Sequence, residues 1–246
     1  MNKIICIDPG HGGSDPGALA GGIQEKDITL SISQYQSQRF SDLGWKVVMT
    51  REKDEDSPLA DAAQKVTTSG ASICLSNHIN AFETKDANGF EVIRSIKSDN
   101  KFSNFVFNNV LLTGLVKGRN VYTRESKEYP GKDYYFIIRE TSPVQTIIIE
   151  YGFITNDHDR GVLTNKNNQI TLSEAVIRAV CNYTGQQYTS PQVQPQDPDA
   201  WKKAEIDELA AAGIVNDPNY WKERINDNMP VWAAMSLINR VRKEKK

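Results

Sequence analysis

The chain holds three histidines, and two of them, His11 and His78, stand just beyond short apolar runs. His11 follows Ile4–Ile7 through Asp8-Pro9-Gly10, and His78 follows Ile73–Leu75 through Ser76-Asn77. Short apolar runs stopped by turn or polar residues read as buried strands. Both imidazoles are therefore expected at the carboxyl edge of a sheet, where open α/β folds build their sites. Two imidazoles and one carboxylate are a common protein ligand set for a catalytic zinc ion, which keeps a fourth position for water. Near the first histidine the carboxylate has four candidates, Asp8, Asp15, Glu25 and Asp27, and spacing does not choose between them. Glu25 also suits an ordinary role, as an acid that favours the dipole at a helix start. A second carboxylate, Glu150, ends the run Thr146-Ile147-Ile148-Ile149 and is expected half desolvated at the same edge. A metal site that activates water needs such a group to take up a proton and pass it on. His158, in Asn156-Asp157-His158-Asp159, reads as a surface residue starting a helix.

These groups need a frame, and the first 184 residues supply one. Strands are expected at Lys3–Ile7, Trp45–Thr50, Ser72–Ser76, Phe90–Ile93, Tyr134–Ile138 and Thr146–Ile149. Helical spacing runs through Ile28–Phe40, Leu59–Val66, Phe102–Val116 and Leu172–Tyr183. The alternation predicts an α/β domain over 1–184, a twisted, mostly parallel sheet of about six strands flanked by helices. Residues 185–198 carry three prolines and little to bury, which reads as a semi-extended linker. Residues 199–246, with three of the four tryptophans, read as a small all-helical module. Its helices are expected at Trp201–Ala212, from Asp217-Pro218 onward, and around Trp232, Met235, Leu237, Ile238 and Val241.

Composition narrows the function further. A net charge of −2 removes any case for nucleic-acid binding through bulk charge. No stretch reaches the roughly 18 apolar residues that insertion into a membrane requires. The start is too short in apolar residues for a signal peptide, so synthesis in the cytoplasm is expected. Cys6, Cys74 and Cys181 lie in apolar runs and read as buried thiols, not as a disulfide framework.

Taken together, Asp8-Pro9-Gly10-His11-Gly12-Gly13 with Asp15-Pro16-Gly17, then Glu25, Ser76-Asn77-His78-Ile79-Asn80-Ala81 and Glu150-Tyr151-Gly152-Phe153-Ile154-Thr155-Asn156 form a recognisable set. In order and composition they resemble the zinc-dependent N-acetylmuramoyl-L-alanine amidases over residues 1–184. The resemblance implies zinc held by His11, Glu25 and His78, with Glu150 as the catalytic acid/base. It is the resemblance, not spacing, that selects Glu25 from the four acids. The implied substrate is peptidoglycan, cut at the amide between the lactyl group of N-acetylmuramic acid and L-alanine. Asn80 and Arg139 are candidate contacts for glycan or peptide. Regulated bacterial members of the family carry a helical plug. The interval from Asn80 to Glu150, filled by a strand, a helix and another strand, leaves no room for a long one. A chain without export signal or plug is similar to a phage endolysin, released to the wall at host lysis. The helical tail would then bind the wall, or pair two chains as a dimer. Two rival readings share much of the pattern: a zinc peptidase cutting within the stem peptide, and a non-catalytic wall-binding protein.

Overall fold

The computed structural model describes residues 3–191, 200–224 and 227. They divide into two compact units that part near Ser190. In the first unit the order is β1 (Ile4–Pro9), the short β2 (Leu19–Ala20) and β3 (Ile23–Gln24), α1 (Glu25–Asp42), β4 (Lys46–Met49), α2 (Leu59–Thr68) and β5 (Ile73–Asn80). It continues with β6 (Phe90–Arg94), α3 (Lys101–Leu111), β7 (Gly118–Tyr122), α4 (Phe136–Glu140), β8 (Gln145–Phe153), α5 (Asp157–Thr164) and α6 (Lys166–Thr184).

Six strands form one mixed sheet in the order β4-β1-β5-β8-β6-β7. β4, β1, β5 and β8 run parallel, while β6 lies antiparallel to β8 and carries β7 in its own direction. The parallel strands are apolar on both faces, as strands covered on both sides must be. Ile5, Ile7, Ile73, Leu75, Ile147 and Ile149 belong to the larger core, which includes residues of α1, α3 and α6. Their alternates Cys6, Cys74 and Ile148 join Ala62, Ala63 and Val66 of α2 and Ile137 and Ile138 of α4. All three cysteines are buried and free.

Two sequence expectations are corrected. The run Tyr134–Ile138 is not a strand: its second half opens α4, whose Ile137 and Ile138 are buried. A five-residue apolar run fits either state by periodicity, and here packing against α2 decides it. The sixth strand is β7, an edge strand paired with β6 whose first three residues are polar or small. It has no apolar signature because its first residues, Gly118, Arg119 and Asn120, are exposed. Element ends also moved: α1 starts at Glu25, so that residue sits in its first turn, and β5 and β8 run through His78 and Glu150.

α1 and α6 are tied by a buried ion pair, Arg39 Nε to Glu174 Oε1 at 2.6 Å. Beyond α6 the chain turns back on this pair, Tyr188 donating to Glu174 and the Thr189 carbonyl accepting from Arg39. In the second unit α7 (Ala200–Ala211) ends at Gly213 in the left-handed region, and α8 (Pro218–Glu223) begins with Asp217 capping the Tyr220 amide. The helix expected around Trp232 and Met235 lies outside the described residues. Among the described residues no helix is long and apolar enough to cross a membrane.

One buried acid joins three elements. Asp159 Oδ2 accepts the amides of Gly89, at 2.7 Å, and Phe153, at 2.9 Å, linking α5 to the end of β8 and the approach to β6. Asp159→Ala leaves both amides without an acceptor, so urea unfolding is expected to show a loss of about 3 kcal/mol. Asp159→Asn, which keeps an acceptor, should lose less than half of that; equal losses would contradict this account.

Candidate metal centre and active site

The parallel strands end together, and their registers bring the chemistry into line. Asp8 pairs with Ser76, Pro9 with Asn77, and His78 with Glu150. By strand alternation Asp8, His78 and Glu150 share the face covered by α2 and α4. At this edge the starts of those two helices open a cavity of about 330 Å³. Asp8, His11, His78, Glu150, Leu59 and Tyr135 are among its walls.

His11 reaches the cavity from a loop that only small residues allow. It adopts φ 63°, and it is the one non-glycine residue with positive φ among those described. At Gly10 a Cβ would come within 2.6 Å of the His78 ring, and at Gly17 one would meet both Glu25 and His11 at 2.6 Å. The glycines therefore make room for the imidazoles. The rings of His11 and His78 stand edge to face with centroids 5.1 Å apart.

Glu25, 3% exposed in the first turn of α1, lies between them. Its Oε2 is 3.1 Å from His11 Nε2 and accepts the Ala18 amide; its Oε1 is 3.1 Å from His78 Nδ1 and accepts the Ile79 amide. Burial pushes this carboxyl up, but the hydrogen bonds and charges of both histidines more than reverse that and hold it well below the usual range. The same hydrogen bond, working against burial, raises His11 to about 9, and His78 is raised as well. One ligand atom from each of the three residues lies within 4.8 Å of the others. Two imidazole nitrogens and a carboxylate oxygen, converging with no bulk between them, fit a zinc ion. His11 Nδ1 donates to Asp15 at 2.8 Å, which fixes the ring so that Nε2 faces inward. This is the usual outer partner of a metal-bound imidazole.

The other acids separate by contact. Asp8 is buried and accepts from Thr50 at 2.6 Å and Ser76 at 2.7 Å. Asp27 is exposed on α1. Glu150 is half-buried on the cavity wall, with Oε2 closed to solvent and without a hydrogen-bond partner among the described residues. Burial raises its carboxyl to about 7. His158 is exposed in the first turn of α5.

Sequence reasoning missed two supporting residues. Glu91 is buried in β6 opposite Glu150, where Asn80 and Arg119 donate to its two oxygens at 2.9 and 2.8 Å. Only the reversal of β6 brings it there, and no local motif announces that. Arg51, 1% exposed, donates to the carbonyls of Pro9 and Gly10 before His11, of Lys26 after Glu25, and of Lys53. Beyond it, Asp54 takes the Gly13 amide and Asp56 the Ser14 amide. Beneath the edge, Asn77 donates to Ser33 and Gln36 of α1 and accepts from Tyr151 of β8.

A sequence profile of the family described as N-acetylmuramoyl-L-alanine amidase matches residues 5–182. The chain belongs to that family. Its amidase domain is 34% identical to the endolysin of Bacillus phage SPP1, over 66% of this chain and 59% of that protein. The amidase AmiC of Neisseria meningitidis is 27% identical over 73% of this chain and 52% of its own length. The chain thus spans little more than half of either relative. Among solved structures, the amidase AmiC2 of Nostoc punctiforme superposes with a TM-score of 0.67 at 28% identity, over 74% of this chain and 97% of that one.

In this amidase Arg51 braces the backbone on either side of His11 and Glu25. Arg51→Met removes that donor from the buried Pro9 and Gly10 carbonyls and from the partly buried Lys26 and Lys53 carbonyls, and metal-stripped protein is expected to lose about 3 kcal/mol in urea unfolding. An unchanged midpoint would show the brace to be idle.

Proposed function

We propose that the protein is a zinc-dependent peptidoglycan amidase of the endolysin kind, hydrolysing the amide between N-acetylmuramic acid and L-alanine. One observation carries the proposal: His11, Glu25 and His78 converge beside an acid, Glu150, whose buried Oε2 has no hydrogen-bond partner among the described residues. Membership of the amidase family and 34% identity to a phage endolysin support the choice of bond.

Zinc held by the three ligands would supply Lewis acidity, polarising the scissile carbonyl and making water nucleophilic near neutral pH. Glu25 offers an anionic oxygen, kept ionised by its neighbours. Asp15 orients the His11 ring so that Nε2 is the nitrogen that would hold the metal. Glu150 takes the proton of the attacking water and returns it to the departing L-alanine nitrogen. Burial raises this carboxyl towards the neutral range, where a group can both accept and return a proton. The cavity walls from α2 and α4 shelter these steps from bulk water.

Digestion of purified peptidoglycan, followed by mass spectrometry of the soluble products, is expected to show new L-alanine amino termini. A chelator should remove the activity and added zinc restore it; new termini at other residues would overturn the assignment. Glu150→Gln should lower kcat by about 10²–10⁴-fold. Zinc content, read by elemental analysis, should stay at that of the parent protein. His78→Ala should lose both activity and zinc.

A further inference from the structure

Arg139 and Asn80, two candidate contacts for glycan or peptide, are already engaged. Arg139 Nε bonds Glu140 at 2.9 Å, its Nη1 donates to the carbonyls of Asp133 and Tyr134, and its guanidinium lies over the rings of Tyr129 and Phe136. Asn80 donates to Glu91. Both serve to hold segments in place.

Arg124 differs. It is exposed, and among the described residues no carboxylate pairs with it. Its guanidinium lies 3.7 Å from the centroid of the Tyr134 ring, and the Tyr134 amide donates to the Arg124 carbonyl, so the stacked pair is fixed by backbone as well as by ring. Tyr134, 46% exposed, packs edge to face on Tyr135 at 5.1 Å, and Tyr135 is a wall of the catalytic cavity. Arg124 and Tyr134 also border a shallow depression of about 450 Å³ formed by the loop between β7 and α4. The nearby acids have other bonds: Asp133 is buried with Ser95 and Ile96, Glu125 accepts the Gly131 amide, and Glu140 holds Arg139.

A guanidinium laid flat on an aromatic ring keeps its edge donors free, in the planar fork that suits a carboxylate. In bacterial stem peptides a glutamyl residue follows L-alanine, linked through its side chain, so its α-carboxyl is left free or is amidated. An extended peptide advances roughly 3.3–3.6 Å per residue, which sets that group roughly 7 Å from the scissile amide. Arg124 is joined to the cavity wall by two ring contacts, 3.7 Å to Tyr134 and 5.1 Å from Tyr134 to Tyr135.

We propose that Arg124, stacked on Tyr134, is the subsite for the α-carboxylate of the stem-peptide residue that follows L-alanine. The subsite deepens the amidase reading and rests on it. It makes the enzyme discriminate between walls whose stem peptides carry the free acid and walls whose stem peptides are amidated.

The test uses two synthetic muramyl dipeptides that differ only in this carboxylate or carboxamide. They are titrated calorimetrically into the full zinc-loaded chain carrying Glu150→Gln, so that neither is consumed. The acid is expected to bind about tenfold tighter than the amide, the size of one charge-assisted hydrogen-bonded pair. Adding Arg124→Gln should erase that preference and Arg124→Lys should keep part of it, while Lys127→Gln should leave it intact. Equal or undetectable binding of the two dipeptides, or a preference that survives Arg124→Gln, would overturn the subsite. Turnover of the acid by the unmutated enzyme is read separately. No cleavage at L-alanine, with the binding preference intact, would sink the amidase reading and leave the subsite standing.

Discussion

A carboxylate taken out of water costs several kcal/mol unless donors and opposite charge replace its hydration. Glu25 receives both. Two backbone amides and two imidazoles meet its two oxygens, and they come from three places: the turn at Ala18, the His11 loop, and β5 at His78 and Ile79. Satisfying one buried anion therefore fixes the start of α1 against two strand ends. It also leaves both imidazoles facing a common point. The close packing at Gly10 and Gly17, where a Cβ would strike these side chains, follows from the same convergence.

Around that anion the remaining acids are kept apart by their environments. Glu25 is surrounded by donors and held ionised; Glu150 has none on its buried oxygen and is pushed towards neutrality. Glu91, which faces Glu150 across the β6–β8 pair, accepts from Arg119 and Asn80. Titratable groups pushed in opposite directions within one site are the pattern by which acid and base chemistry is divided between like residues.

Much of this was legible in the sequence because the site is built from strand ends. An apolar run that stops at a polar residue marks both the strand and its exit, which is why His11, His78 and Glu150 stood out. Glu25 did not stand out by itself. Choosing it over Asp8, Asp15 and Asp27 needed the resemblance, since hydrogen bonding to Thr50, Ser76 and the His11 ring depends on tertiary contacts that spacing does not encode. Glu91 and Arg51 were invisible for the same reason: one depends on a strand reversal, the other on carbonyls from three segments. β7 was missed because an exposed edge strand has no reason to be apolar, and Tyr134–Ile138 was misread because a short apolar run suits a helix as well as a strand.

The polar cluster beneath the site has a bearing on how the sheet is assembled. Ser33, Gln36, Asn77 and Tyr151 satisfy one another inside an otherwise apolar layer, each in one arrangement. A slip of β5 by a single residue would turn His78 to the opposite face of the sheet. It would also take Asn77 away from Ser33, Gln36 and Tyr151, and each buried group left unpaired costs about 1–3 kcal/mol. The cluster thus acts as a proofreading device. A misregistered sheet, which apolar packing alone would tolerate, is penalised by the very residues next to the histidine that must not be misplaced. The four are expected to vary as a set across evolution, while the isoleucines around them exchange freely for other aliphatic residues.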